Sequence, residues 1–100
     1  MVELIQPAPS NDGAGHMVQL VSGIARLLVD LPDQVFIEAV STQDETVLRL
    51  RVAHGDVGKI IGKQGRTARS LRTIISAASM KLKHRFSLDI VEEDEVLETA

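Results

Sequence analysis

One hundred residues without a cysteine and with a net charge of −3 make one small domain, and they exclude a disulfide framework and any cysteine-based metal site or nucleophile. A hydrophobic share of 44% and a charged share of 25% are ordinary for a globular chain. No apolar run approaches the roughly 20 residues that span a bilayer, and the acidic start MVELIQPAPS lacks the basic region of an export signal, so a cytoplasmic location is expected.

Residues 1–16 hold Pro7, Pro9, Ser10, Asn11, Asp12, Gly13 and Gly15 with no period, which reads as a flexible leader. Gly15-His16-Met17 fits a cloning remnant or an alternative start at Met17. From Met17 the residues Val21, Ile24, Leu28 and Leu31, with Leu20 and Leu27 alongside, draw a helical stripe that Pro32 should end. Its apolar face is wide, and it serves either core packing or a dimer seam. A strand is expected over Val35 to Val40, followed by the turn sequence STQDET. In the second strand Leu48, Leu50 and Val52 alternate with Arg49 and Arg51, as on a sheet with one buried face. Asp56 stands where the N-cap of a short helix, Val57 to Ile61, would fall. Beyond a glycine loop, Ala68, Leu71, Ile75, Ala78 and Leu82 recur at spacings of three and four, an amphipathic helix over about Arg66 to Lys83. Its other face carries Arg69, Arg72, Ser76, Ser79 and Lys83. Phe86, Leu88 and Ile90 alternate with Ser87 and Asp89 in a last strand, and an acidic tail follows from residue 93.

The net charge hides a segregation. Ten of the eleven Lys and Arg residues lie between Arg49 and Arg85 with Asp56 as the one acid among them, which gives that window +9. A solvated helix face is the plain reading, and an anionic partner is the functional one, because the local field decides what a surface attracts.

The loop GKIIGKQGR at 58–66 is the candidate site. A Walker A loop needs four residues before its Gly-Lys pair and a hydroxyl after it; here three residues separate Gly58 from Gly62-Lys63, and Gln64 follows. No G-x-G occurs for a dinucleotide fingerprint. Gly62 and Gly65 could simply end one helix and start the next. The alternative reading is a loop joining two helices head to tail, where the second helix presents its positive end. Bare glycines there admit a sugar-phosphate chain to the main chain. Lys63, Arg66 and Arg69 surround that point with positive charge, and Ile60 and Ile61 are placed to wall a groove for bases.

The segment VGKIIGKQGRTARSLRTII, with LVDLPDQV before it and SLDIVE after it, resembles the core of a KH domain. From about Met17 to Glu92 the chain is similar to the small stand-alone bacterial KH proteins of the KhpA (YlqC) family. That resemblance implies an α+β fold, a single type II-like α-β-β-α-α-β domain over residues 17–92 with the helices on one face of a three-stranded sheet. It implies single-stranded RNA as ligand, with Gly62, Lys63, Gln64 and Gly65 clamping roughly four backbone nucleotides. It further implies a role as a post-transcriptional regulator or RNA chaperone, without cofactor or metal, and pairing with itself or with a second KH protein of the KhpB (Jag) kind. A module acting mainly through dimerisation is the alternative. Catalysis is not expected: His16 falls in the leader, His54 and His84 read as surface residues beside the basic patch, the three share no relay or ligand spacing, and no G-x-S-x-G elbow occurs.

Overall fold

The computed structural model describes residues 12–92. Its elements run α1 (Asp12–Leu28), β1 (Phe36–Ser41), β2 (Glu45–Arg51), α2 (Val57–Ile61), α3 (Arg66–Leu82) and β3 (Arg85–Ile90), with short 3-10 turns at Pro32–Gln34, His54–Asp56 and Lys63–Gly65. The sheet order is β1-β2-β3. β1 and β2 are antiparallel, pairing Phe36 with Arg51 and Ser41 with Thr46. β2 and β3 are parallel, pairing Glu45 with Arg85 and Leu50 with Ile90. This is the expected α+β arrangement.

The alternation in β2 and β3 decides which sheet face is covered. Leu48, Leu50, Phe86 and Leu88 are buried against Met17, Val21 and Ala25 of α1 and Leu71 and Ile75 of α3, so the helices lie on one face. The other face keeps Phe36 61% exposed, and Arg49 bridges to Asp89 across the strands at 3.4 Å. Among the described residues no helix is long and apolar enough to cross a membrane.

Three expectations need correction. First, α1 begins at Asp12, not Met17. Gly13 lies beside the Leu82 and Phe86 side chains, where an added Cβ would sit at ordinary contact distances of 3.6 and 3.7 Å, so the first turn of α1 reaches the end of α3. Residues 12–16 thus belong to the fold; residues 1–11 and the acidic tail from residue 93 lie outside the described ones.

Second, α1 stops at Leu28, before Pro32 acts. The N–H groups of Asp30 and Leu31 donate instead to Asp56 Oδ1 at 3.2 Å and Oδ2 at 3.0 Å. Asp56 makes no cap bond to α2; it is buried, and Lys59 sits 3.7 Å from Oδ1 and 3.3 Å from the Asp30 carboxylate. Third, His84 is not a plain surface residue. Its Nε2 lies 2.8 Å from the buried Thr46 hydroxyl, and its ring stands edge-on to Phe86 at 5.0 Å.

The wide apolar face of α1 is divided. Val21 is buried in the core and Ile24 packs on it, whereas Leu27 is 86% and Leu31 54% exposed.

Candidate nucleic-acid interface

The loop between α2 and α3 is a single tight turn. Gly62 N–H donates to the Gly58 carbonyl at 2.8 Å, closing α2, and Gly65 N–H donates to the Gly62 carbonyl at 3.0 Å. The route requires positive φ at Gly62 (80°), Gln64 (57°) and Gly65 (75°), a region that favours glycine. The two glycines are bare for different reasons. A Cβ at Gly62 would run into Thr67, 2.7 Å from its Cβ and 2.8 Å from its N, so Gly62 is fixed by packing inside the protein. At Gly65 a Cβ would meet nothing within 4 Å, so the space beside its α-carbon is open.

Lys63 and Gln64 form the exposed tip, and Arg66 and Arg69 are exposed on the first turns of α3. The Arg66 guanidinium donates to Gln64 Oε1 at 3.1 Å, which steadies the one non-glycine residue of the turn held at positive φ. No side chain caps α3, and the first-turn N–H groups of a helix lack intrahelical partners. Among the described residues the ion pairs engage Arg49 and Lys59, and no carboxylate pairs with Lys63, Arg66, Arg69 or Arg72. Among the described residues the basic window is thus partly neutralised, and most of its remaining cations lie at the turn and along α3.

The isoleucines part company. Ile61 is half-buried at the end of α2, next to the turn. Ile60 is 0% exposed and belongs to the core cluster, so it walls no open groove.

An element of the site that the sequence does not single out is the outer edge of β3. Val91 N–H bonds Leu50 O at 2.9 Å toward β2, whereas Phe86 N–H donates to Ser79 Oγ at 3.2 Å and the Leu88 carbonyl accepts from Arg72 at 3.2 Å. Even-numbered residues of β3 therefore turn their main chain toward α3. A groove lies there, lined by Arg72, Ile75, Phe86, Ser87 and Leu88. Arg72 and Ser79 stand on the face of α3 read from sequence as solvent-facing, yet both reach the strand.

A glycine-bounded turn joining two helices, beside a mixed three-stranded sheet in the order α-β-β-α-α-β, defines a KH domain of the type II-like form. The family model described as KhpA/KhpB, KH domain, matches residues 18–90. The chain belongs to that family. It is similar to the RNA-binding protein KhpA of Clostridium acetobutylicum, 45% identical over 75 residues that make up 75% of this chain and 100% of that protein. The RNA-binding protein KhpA of Treponema pallidum is 45% identical over 74 residues, 74% of this chain and 92% of its own. That of Borreliella burgdorferi is 40% identical over 78 residues, 78% of this chain and 95% of its own. No solved structure matches the chain.

Proposed function

We propose that the chain binds single-stranded RNA, with the Gly62–Gly65 turn holding the sugar-phosphate backbone and the bases lying in the groove between α3 and β3. The observation that carries this reading is the open space beside Gly65, with Lys63, Gln64, Arg66 and Arg69 exposed around it. Such a turn accepts phosphates close to backbone N–H groups, and a KH loop clamps roughly four nucleotides in this way. The names of the relatives, RNA-binding protein KhpA, support the same ligand. The chain acts by binding, as a post-transcriptional regulator or RNA chaperone in the cytoplasm, and not as an enzyme.

The test replaces Lys63 and Gln64 together by Asp. Both are exposed, and Asp tolerates positive φ better than most residues, so the fold should survive. Facing carboxylates and phosphates cost several kcal/mol, and affinity for a single-stranded oligonucleotide should fall more than about tenfold while the melting temperature holds. Unchanged binding by this variant removes the clamp.

Exposed Leu27 and Leu31 on and after α1, and exposed Ile74 and Met80 on α3, support a second component of the proposal. A second copy of the chain, or a KH protein of the KhpB kind, covers one of these surfaces, and pairing multiplies the weak grip of a single clamp.

A further inference from the structure

The acids fixed in the fold do not serve the turn. Asp30 and Asp56 hold Lys59, and Asp89 holds Arg49. Lys63, Arg66 and Arg69 are exposed, and among the described residues no carboxylate forms an ion pair with them. A run of acids stands instead after the last strand: Glu92, Glu93, Asp94, Glu95 and Glu98, with no Lys or Arg beyond Arg85. Glu92 is exposed, and residues 93–100 follow the described ones.

The fold brings that run back to the turn. Ser79 of α3 meets the Phe86 N–H, and Arg72, seven residues earlier in α3, meets the Leu88 carbonyl, two residues later in β3. β3 is therefore antiparallel to α3 and returns toward the residues that begin it. From Arg72 back to Arg66 the helix covers about 9 Å at 1.5 Å per residue. From Leu88 on to Glu92 an extended chain covers about 13 Å at 3.3 Å per residue. Glu92 thus leaves the sheet at the turn's end of the molecule. The eight residues beyond it span up to about 27 Å when extended, enough to reach Lys63, Arg66 and Arg69.

We propose that the acidic segment 92–98 folds back on the Gly62–Gly65 turn and occupies Lys63, Arg66 and Arg69 in place of RNA phosphates. This rests on the reading of that turn as a backbone clamp. One exposed ion pair contributes little in water, but the segment is tethered, and a short tether gives an effective concentration in the millimolar range. A run of carboxylates with no cation of its own complements the turn. It complements the outer sheet face less, where Arg49 is bridged to Asp89 and stands opposite Glu38 in the β1–β2 pairing. RNA has to displace the segment, so the clamp favours strands that present several phosphates at once. A clamp filled by the segment about 70–90% of the time at low salt shows an affinity lowered about threefold to tenfold.

The experiment keeps the full chain and neutralises the segment with Glu92→Gln, Glu93→Gln, Asp94→Asn, Glu95→Gln and Glu98→Gln. The first readout uses no RNA: amide proton–nitrogen correlation spectra of the wild type and the neutral variant. Resonances of Gly62–Arg69 should differ between the two, and differences confined to Arg51 and Val91 overturn the proposal. The second readout is fluorescence anisotropy with an oligouridine. The neutral variant should bind about threefold to tenfold more tightly at low salt, and the gain should shrink as salt rises toward about 0.5 M, where exposed charges are screened. Equal affinity at low salt overturns the proposal. So does a gain without any change at Gly62–Arg69, which would make the segment a source of general repulsion only. Undiminished RNA binding after Lys63 and Gln64 are both replaced by Asp removes the clamp, and the competition with it; the spectra, recorded without RNA, fail or hold independently of that result.

Discussion

Gly62 and Gly65 show how one short motif can hold two separate constraints. Gly62 combines φ 80° with ψ 172°, a region open essentially to glycine alone, and Thr67 fills the space beside it. Gly62→Ala should therefore destabilise the fold by about 3 kcal/mol, the upper end for such backbone strain. Gly65, at φ 75° and ψ 14°, lies in the left-handed helical region, where alanine costs about 1–2 kcal/mol. Its methyl would project into empty space, where the proposed RNA backbone runs. Urea unfolding and RNA titration of the two variants separate these roles. Gly62→Ala should lose more stability, and Gly65→Ala should lose more affinity than its stability explains. The reverse order would mean that Gly65, not Gly62, is the structural glycine.

Between elements, the buried carboxylate of Asp56 ties the exit of α1 to the entry of α2, just ahead of the turn. It accepts two main-chain N–H groups from Asp30 and Leu31. Asp56→Ala strands both donors at a cost of about 1–3 kcal/mol each, and a loss of about 3 kcal/mol in denaturant unfolding is expected. Asp56→Asn keeps one acceptor and should lose less. Full stability of the alanine variant would mean that water replaces the carboxylate. This link also shows where sequence reading reaches its limit. The spacing of Ala68, Leu71 and Ile75 showed α3, and the alternation of Leu48 and Leu50 showed β2, because each pattern is written within a few neighbouring residues. Asp56 stood at a helix start and was read as a cap, since its partners lie 25 and 26 residues away and leave no local trace. Arg72 was read as one cation on a polar face for the same reason: that β3 is an edge strand, with a carbonyl to spare, depends on the sheet order. The glycines of the turn were legible, but which of them is held bare by packing was not, because Thr67 decides it through space.

Across the whole molecule, apolar surface is distributed unevenly. Leu27 is 86% and Met80 78% exposed on the helices, and the sheet face away from them exposes Phe36 at 61% beside the Arg49–Asp89 pair. Self-association through a helical surface should give a concentration-dependent mass above the monomer in sedimentation equilibrium. Leu27→Glu or Ile74→Glu, whichever lies in the contact, should return the chain to monomer without unfolding it, since both side chains are already exposed. A strict monomer at high micromolar concentration would remove the homodimer and leave pairing with a second KH protein.

The parallel pairing of β2 with β3 bears on the order in which the protein is made. The β1–β2 hairpin closes over the short Thr42–Asp44 connection and needs only neighbouring residues. β3 pairs only after α2, the turn and α3 have been spanned, and distant contacts of this kind form late and slowly. A chain emerging from the ribosome thus possesses its glycine turn before it possesses a groove. Until Arg85–Ile90 docks, Arg72 has no carbonyl to hold and Ser79 no amide, so the groove between α3 and β3 is completed only with the last strand.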